Sequence, residues 1–200
     1  MPGVSRRRSL LVLLLTMVAV AWLTRETFAA RNGSSRQETL SFLLAGALVL
    51  GTYLSGGWPS RGRGRRLRVV GPVLTGLLLV VAFAVLGWLT SWIGPLDNGA
   101  DAMERNARAL STLGLVALAL AGAAEELFYR GALFERVRLP VLTTALAHMV
   151  TTLPAGNVAL TLSAGFLGVV LGMTRRTSGG WRAPAVSHVV WALVSVWWLA

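Results

Sequence analysis

The chain has 200 residues, 54% of them hydrophobic and only 14% charged, with a mean hydropathy of +0.64. That is too apolar for an ordinary soluble domain; long apolar runs between short polar gaps indicate an all-α, polytopic membrane protein. The absence of cysteine excludes disulfides and thiolate metal sites. The net charge of +11 is carried by arginine without any lysine, in short segments between apolar runs, which is a topology signal rather than a nucleic-acid surface.

A membrane helix needs about 20 mostly apolar residues. In chain order, about seven transmembrane helices are expected, at Ser9–Leu23, Leu40–Trp58, Val69–Ile93, Leu110–Phe134, Leu139–Leu153, Val158–Met173 and Ala183–Ala200. The first follows MPGVSRRR and resembles a signal peptide. Phe28 spoils the cleavage site in TFAA, so an uncleaved anchor is expected. RGRGRRLR, before the third segment, reads as a basic loop facing anionic lipid. PLDNGADAMERNAR, after that segment, reads as an outer loop. Ala164, Gly168 and Gly172 recur every four residues in the sixth segment and form a small-residue stripe for close helix contact. No internal repeat appears. The sequence divides into N-terminal helices and loops over 1–109 and a core over 110–200.

With the N-terminus inside, the inner loops and helix ends hold Arg6, Arg7, Arg8, Arg61, Arg63, Arg65, Arg66, Arg68, Arg130, Arg136, Arg138, Arg175, Arg176 and Arg182. The outer ones hold only Arg25, Arg31, Arg36, Arg105 and Arg108. This bias predicts a multi-pass protein of the cell membrane with a cytoplasmic N-terminus and an outer C-terminus. Trp58, Trp88, Trp92, Trp181, Trp197 and Trp198 fall near segment ends, as an aromatic belt does.

AGAAEELFYRGALFERV, from Ala121 to Val137, places ionisable groups where apolar ones are expected. A charge there costs roughly 2.5–3.5 kcal/mol on insertion scales, so it needs a partner or water. Glu126 and Arg130 are four apart with the acid first, the favourable order for an ion pair. Glu125 points about 100° away and has no such partner on its own helix. The two histidines, His148 and His188, lie two or three turns into the fifth and seventh segments. On this topology Glu125, His148 and His188 converge in the cytoplasmic half, in a cavity reached from the cytoplasm. A glutamate can activate water, and imidazoles can hold it, stabilise an oxyanion or protonate a leaving amine. Two His and one Glu also match a catalytic zinc site, so a divalent metal and a metal-free site stand side by side. Each residue alone also has a structural reading, as a helix–helix hydrogen bonder or lock.

EELFYR resembles the first motif of the CPBP family, the CAAX proteases and bacteriocin-processing enzymes also called the Abi family. These are intramembrane endopeptidases related to the type II CAAX prenyl protease. The resemblance covers about Leu110 to Ala200. It implies that Glu125 is the catalytic glutamate and that Glu126 and Arg130 complete the first motif. It implies that His148 belongs to the second motif, with Thr144 in place of the usual phenylalanine, and His188 to the third. Ala192 stands where the family often has asparagine, and Ser195, seven residues after His188, is on the same helical face. The function implied is peptide-bond hydrolysis by glutamate-activated water, acting on a peptide or membrane-protein substrate among membrane lipids, with no nucleic acid involved. The alternative is a catalytically silent member serving as a scaffold or regulator. A proton-coupled transporter would use the same residues as a relay, but the missing repeat speaks against it.

Overall fold

A computed structural model describes residues 5–59 and 69–199, and every regular element among them is helical. The helices are α1 (Arg6–Ala29), α2 (Ser35–Leu54), α3 (Val70–Thr90), α4 (Gly94–Arg108), α5 (Thr112–Glu126), α6 (Pro140–Thr152), α7 (Val158–Ser178) and α8 (Arg182–Leu199). A π-helical segment, Leu127–Leu133, continues α5, and a 3₁₀ turn, Leu153–Ala155, follows α6. Five helical stretches are long and apolar enough to cross a membrane: Arg6–Ala29, Ser35–Leu54, Val70–Thr90, Thr112–Leu133 and Val158–Ser178. The sixth expected segment therefore runs five residues further than its apolar run suggested, through Arg175 and Arg176. The 13-residue α6 is too short to belong to this set. The arginines at 61, 63, 65, 66 and 68 lie outside the described residues.

PLDNGADAMERNAR is a helix rather than a loop. Its proline stands in the first turn with Asp97, and Arg105 and Arg108 stand in the last, so both ends complement the helix dipole. Arg108 pairs with Glu104 at 2.7 Å. Two buried or half-buried amides tie α4 to the bundle: Asn157 Nδ2 donates to the Gly99 carbonyl (2.9 Å), and Gln37 Nε2 donates to Asn106 Oδ1 (2.8 Å). Asn157 also caps α7 by accepting from the Leu160 amide.

The packing is that of a protein solvated by lipid. On α1, Leu11, Leu14, Leu15, Val18 and Trp22 are exposed, while Ser9, Thr16 and Thr24 are buried beside Leu13, Val20 and Leu23. Lipid tails accept leucine as readily as a protein interior does, so contact surfaces select small and hydroxylated residues that let backbones approach. The hydroxyls satisfy themselves, as Thr16 Oγ1 does by donating to the Val12 carbonyl (2.8 Å). The stripe on α7 works as its spacing suggests: a Cβ on Gly168 would lie 2.8 Å from the Ala145 Cα, and one on Gly172 would lie 3.0 Å from a Val141 methyl. The main core joins α1, α2, α5, the π segment and α6 through Leu13, Leu48, Ala124, Phe128, Tyr129 and Ala147. Trp58, Trp88, Trp92, Trp197 and Trp198 are exposed at helix ends, where an interfacial belt needs them.

Candidate active site

The site forms where α5 passes into the π segment, with α6 on one side and α8 on the other. Ser111 caps α5 by accepting from the Gly114 amide, and its own hydroxyl donates to Glu38 at the start of α2. From there the helix runs about 20 Å down to Glu125, at a rise of 1.5 Å per residue. The side chains below that point, from Leu127 to Leu133, are all buried.

Glu126 and Arg130 form the expected ion pair, with Arg130 Nη1 donating to Glu126 Oε1 at 2.9 Å and both side chains fully buried. Arg130 therefore lies inside the bundle and is not part of the charge at the inner helix ends. The same Glu126 oxygen lies 3.0 Å from His188 Nδ1. With Glu126 ionised against Arg130, that hydrogen bond needs the proton on Nδ1, which leaves Nε2 of the neutral ring as an acceptor. Glu125 faces the other way, as the helical offset predicts, and its side chain keeps 21% exposure. Its Oε2 lies 3.3 Å from His148 Nε2 and 3.9 Å from His188 Nε2. The five sequence-predicted residues are thus one cluster. The two glutamates are not independent, because His188 reaches both.

Five neighbours that sequence reasoning did not single out hold this geometry. The Tyr129 ring stacks on His148 (centroids 4.8 Å apart), and its hydroxyl is 2.6 Å from Thr151 Oγ1. Thr151 in turn donates to the His148 carbonyl (2.9 Å), closing a clamp around that residue. Trp191 packs one turn from His188, with ring centroids 5.6 Å apart. Gly122 lets α8 come close: a Cβ there would lie 3.3 Å from His188 Cδ2. Ser187 strengthens the same region by donating to the Pro72 carbonyl of α3 (2.9 Å). Apart from the Thr151 bond to the His148 carbonyl within α6, these pairings have no local sequence signal, since each joins separate elements or depends on how a ring is turned.

A cavity of about 280 Å³ leads away from the cluster. Its deep end has Glu125, His148 and His188; Ala192 and then Ser195 follow along α8, and Leu44, Leu118, Leu160 and Leu167 also wall it. Its far end is bordered by Thr27, Phe28, Glu38, Met103 and Asn106, all half-buried. A water occupies about 30 Å³ in the liquid, so there is room for a substrate group as well as an attacking water. Ala192 and Ser195 face this space together, as their spacing from His188 predicts. Thr144, in contrast, is buried and donates to the Pro140 carbonyl (2.8 Å). The cavity runs to the arginine-poor end of the bundle, where α1 ends and α2 begins. Toward the arginine-rich end the site is closed by Phe128, Tyr129 and Arg130, none of which is exposed.

Among the described residues, no three His, Asp or Glu side chains are arranged to hold a metal ion. Glu126 Oε1 is committed to Arg130 and His188 Nδ1, and no step below passes through a metal. Several buried polar atoms lack a protein partner: Glu126 Oε2, His148 Nδ1, and Arg130 Nε and Nη2. Groups of this kind ordinarily bind water.

A search of curated proteins and a search of solved structures each found no match. A family model described as "Type II CAAX prenyl endopeptidase Rce1-like" matches residues 107–194, a stretch that runs from the end of α4 into α8 and contains Glu125, Glu126, Arg130, His148, His188 and Ala192. Residues 107–194 are therefore similar to the type II CAAX prenyl endopeptidases, in line with the resemblance that the motifs carry, and the long apolar helices suit a membrane-embedded protein.

Proposed function

We propose that this protein is an intramembrane endopeptidase in which Glu125 activates water. The observation that carries the reading is the placement of Glu125 Oε2 within 3.3–3.9 Å of two imidazole nitrogens at the deep end of a cavity. A water bound between these groups loses a proton to Glu125 as its oxygen attacks the peptide carbonyl carbon. The tetrahedral oxyanion accepts a hydrogen bond from the His148 Nε2–H. Glu125 then returns the proton to the leaving nitrogen as the C–N bond breaks, so that a new carboxylate and a new amine result. Glu126 and Arg130 act through His188, fixing its ring with Nδ1 bound and Nε2 turned to the water. Tyr129 holds the His148 ring by stacking on it, and Thr151 ties Tyr129 to the His148 backbone. The substrate is a peptide or membrane protein, and the protein crosses the membrane several times.

The test compares membrane-protein N-termini by mass spectrometry in cells lacking this protein, complemented with either wild type or Glu125→Ala at equal expression. Termini present only with wild type are expected and would name the substrate. Identical termini in both strains would overturn the reading.

Ala192 favours a second reading, a silent member acting as a scaffold. An asparagine amide at this position of the cavity could hold the oxyanion, and loss of one such donor costs about 10²–10³-fold in rate. On that reading Ala192→Asn creates new termini in the same assay. On the protease reading wild type already produces them, and Ser195 supplies part of the missing donor function. A Ser195→Ala protein with unchanged activity would remove that role.

A further inference from the structure

We infer that the catalytic cavity is filled from the extracytoplasmic face, so that its substrates are polypeptide segments lying on the outer side of the membrane. The inference rests on the protease reading and adds to it the side from which substrate comes.

The two ends of the bundle differ sharply in charge. At the closed end, the described residues place Arg6, Arg7, Arg8, Arg136, Arg138, Arg175, Arg176 and Arg182 against one carboxylate, Glu135. The sequence adds five more arginines between α2 and α3. At the open end, Arg25, Arg31, Arg36, Arg105 and Arg108 are balanced by Glu26, Glu38, Asp97, Asp101 and Glu104. These charges also pair with one another: Arg36 reaches Glu26 at 2.9 Å, and Arg108 reaches Glu104 at 2.7 Å. An excess of arginine in short loops and at helix ends holds that side in the cytoplasm during insertion, and acidic residues contribute little to the choice. The closed end is therefore cytoplasmic and the mouth is external.

The mouth itself suits an entering polypeptide. The amphipathic helix α4 lies across it, with Met103 and Asn106 on its rim and Trp88, Trp92, Trp197 and Trp198 exposed nearby, at the depth where tryptophan prefers the interface. Half-buried polar groups at the rim can meet a peptide backbone, and the leucine walls below accept apolar side chains. A tail presented in the cytoplasm has no route to Glu125, because the π segment and its buried side chains lie between.

The chain contains no cysteine, so single cysteines report sidedness without background. Ala100→Cys on exposed α4 and Thr177→Cys at the exposed end of α7 change no charge. Intact cells are treated with a membrane-impermeant maleimide, and labelling is compared with that after permeabilisation. Ala100→Cys is expected to label equally in both conditions, and Thr177→Cys at least about tenfold more after permeabilisation. The reverse pattern, or protection of both in intact cells, overturns the inference. The termini found with wild type but not with Glu125→Ala give a second reading: they are expected in extracytoplasmic segments, and cytoplasmic ones overturn the inference. An absence of any such termini would bring down the protease reading alone and leave the labelling result to decide the orientation of the mouth.

Discussion

Glu125 and Glu126 are adjacent on one helix, yet they face two different regions of the molecule. Glu126 looks into packed protein, is fully buried, and gives one oxygen to Arg130 and His188. Glu125 looks into the cavity, keeps part of its surface open, and is approached by imidazoles from two other helices without an arginine in contact. A carboxylate locked against a guanidinium is a poor proton acceptor, whereas one beside imidazole and space for water can exchange a proton. A 100° step along the helix thus separates a carboxylate locked into packed protein from one that faces the cavity.

That contrast can be broken from either side. The largest effect is expected from Glu125→Gln, which keeps shape and removes the base: proteolysis falls about 10²–10⁴-fold, while the melting temperature in detergent stays within a degree or two of wild type, by the usual small effect of substitutions at partly exposed positions. A large loss of stability would mean that Glu125 is structural as well. Arg130→Ala should do the opposite, leaving Glu126 as an uncompensated buried charge at a cost of about 3–5 kcal/mol. Thermal unfolding should show it as a large drop in melting temperature, and a protein as stable as wild type would show that the pair is not what holds this region. Gly122→Ala sharpens the comparison, since its methyl would press on His188 and move the ring by a few tenths of an ångström. Turnover should fall about tenfold, given that misplacement by 1 Å can cost about 10²-fold. The smallest effect is expected from Tyr129→Phe, which keeps the stack on His148 and deletes one hydrogen bond of about 1 kcal/mol. A severalfold loss in kcat with unchanged KM would identify Tyr129 as a positioning residue. Unchanged kcat would make it a packing residue only.

Much of the fold was legible because lipid imposes long apolar runs, and these mark helices by length alone. The ends were less legible. Arg175 and Arg176 look like loop residues, but α7 carries them inside the helix, where Arg175 donates to the Arg130 carbonyl (2.8 Å) and pairs with Glu135 (3.2 Å). α4 was obscured by its polarity, although its proline start, acidic first turn and basic last turn are ordinary helix signals. The site was legible wherever the chemistry is local. Spacing alone pairs Glu126 with Arg130 and turns Glu125 away from both. The bridge that His188 makes between the two glutamates, and the Tyr129–Thr151 clamp, required knowing which helices meet. Which end of the cavity the packed π segment closes was not legible, because depth along a segment says nothing about it.

The widened turn between Leu127 and Leu133 also sets a phase. Its hydrogen-bonded rings close one residue later than in an α-helix, as the Phe134 amide shows by reaching back to the Tyr129 carbonyl (3.1 Å). Because each ring takes in one more residue, the widened turn accommodates an extra residue while the helix beyond it stays close to its α-helical phase relative to Glu125. Arg136, beyond the turn, thereby still reaches the Ser55 carbonyl at the end of α2 at 3.2 Å. This one turn therefore acts as slack between the glutamates and the helix's anchorage, taking up a residue of length without unseating either.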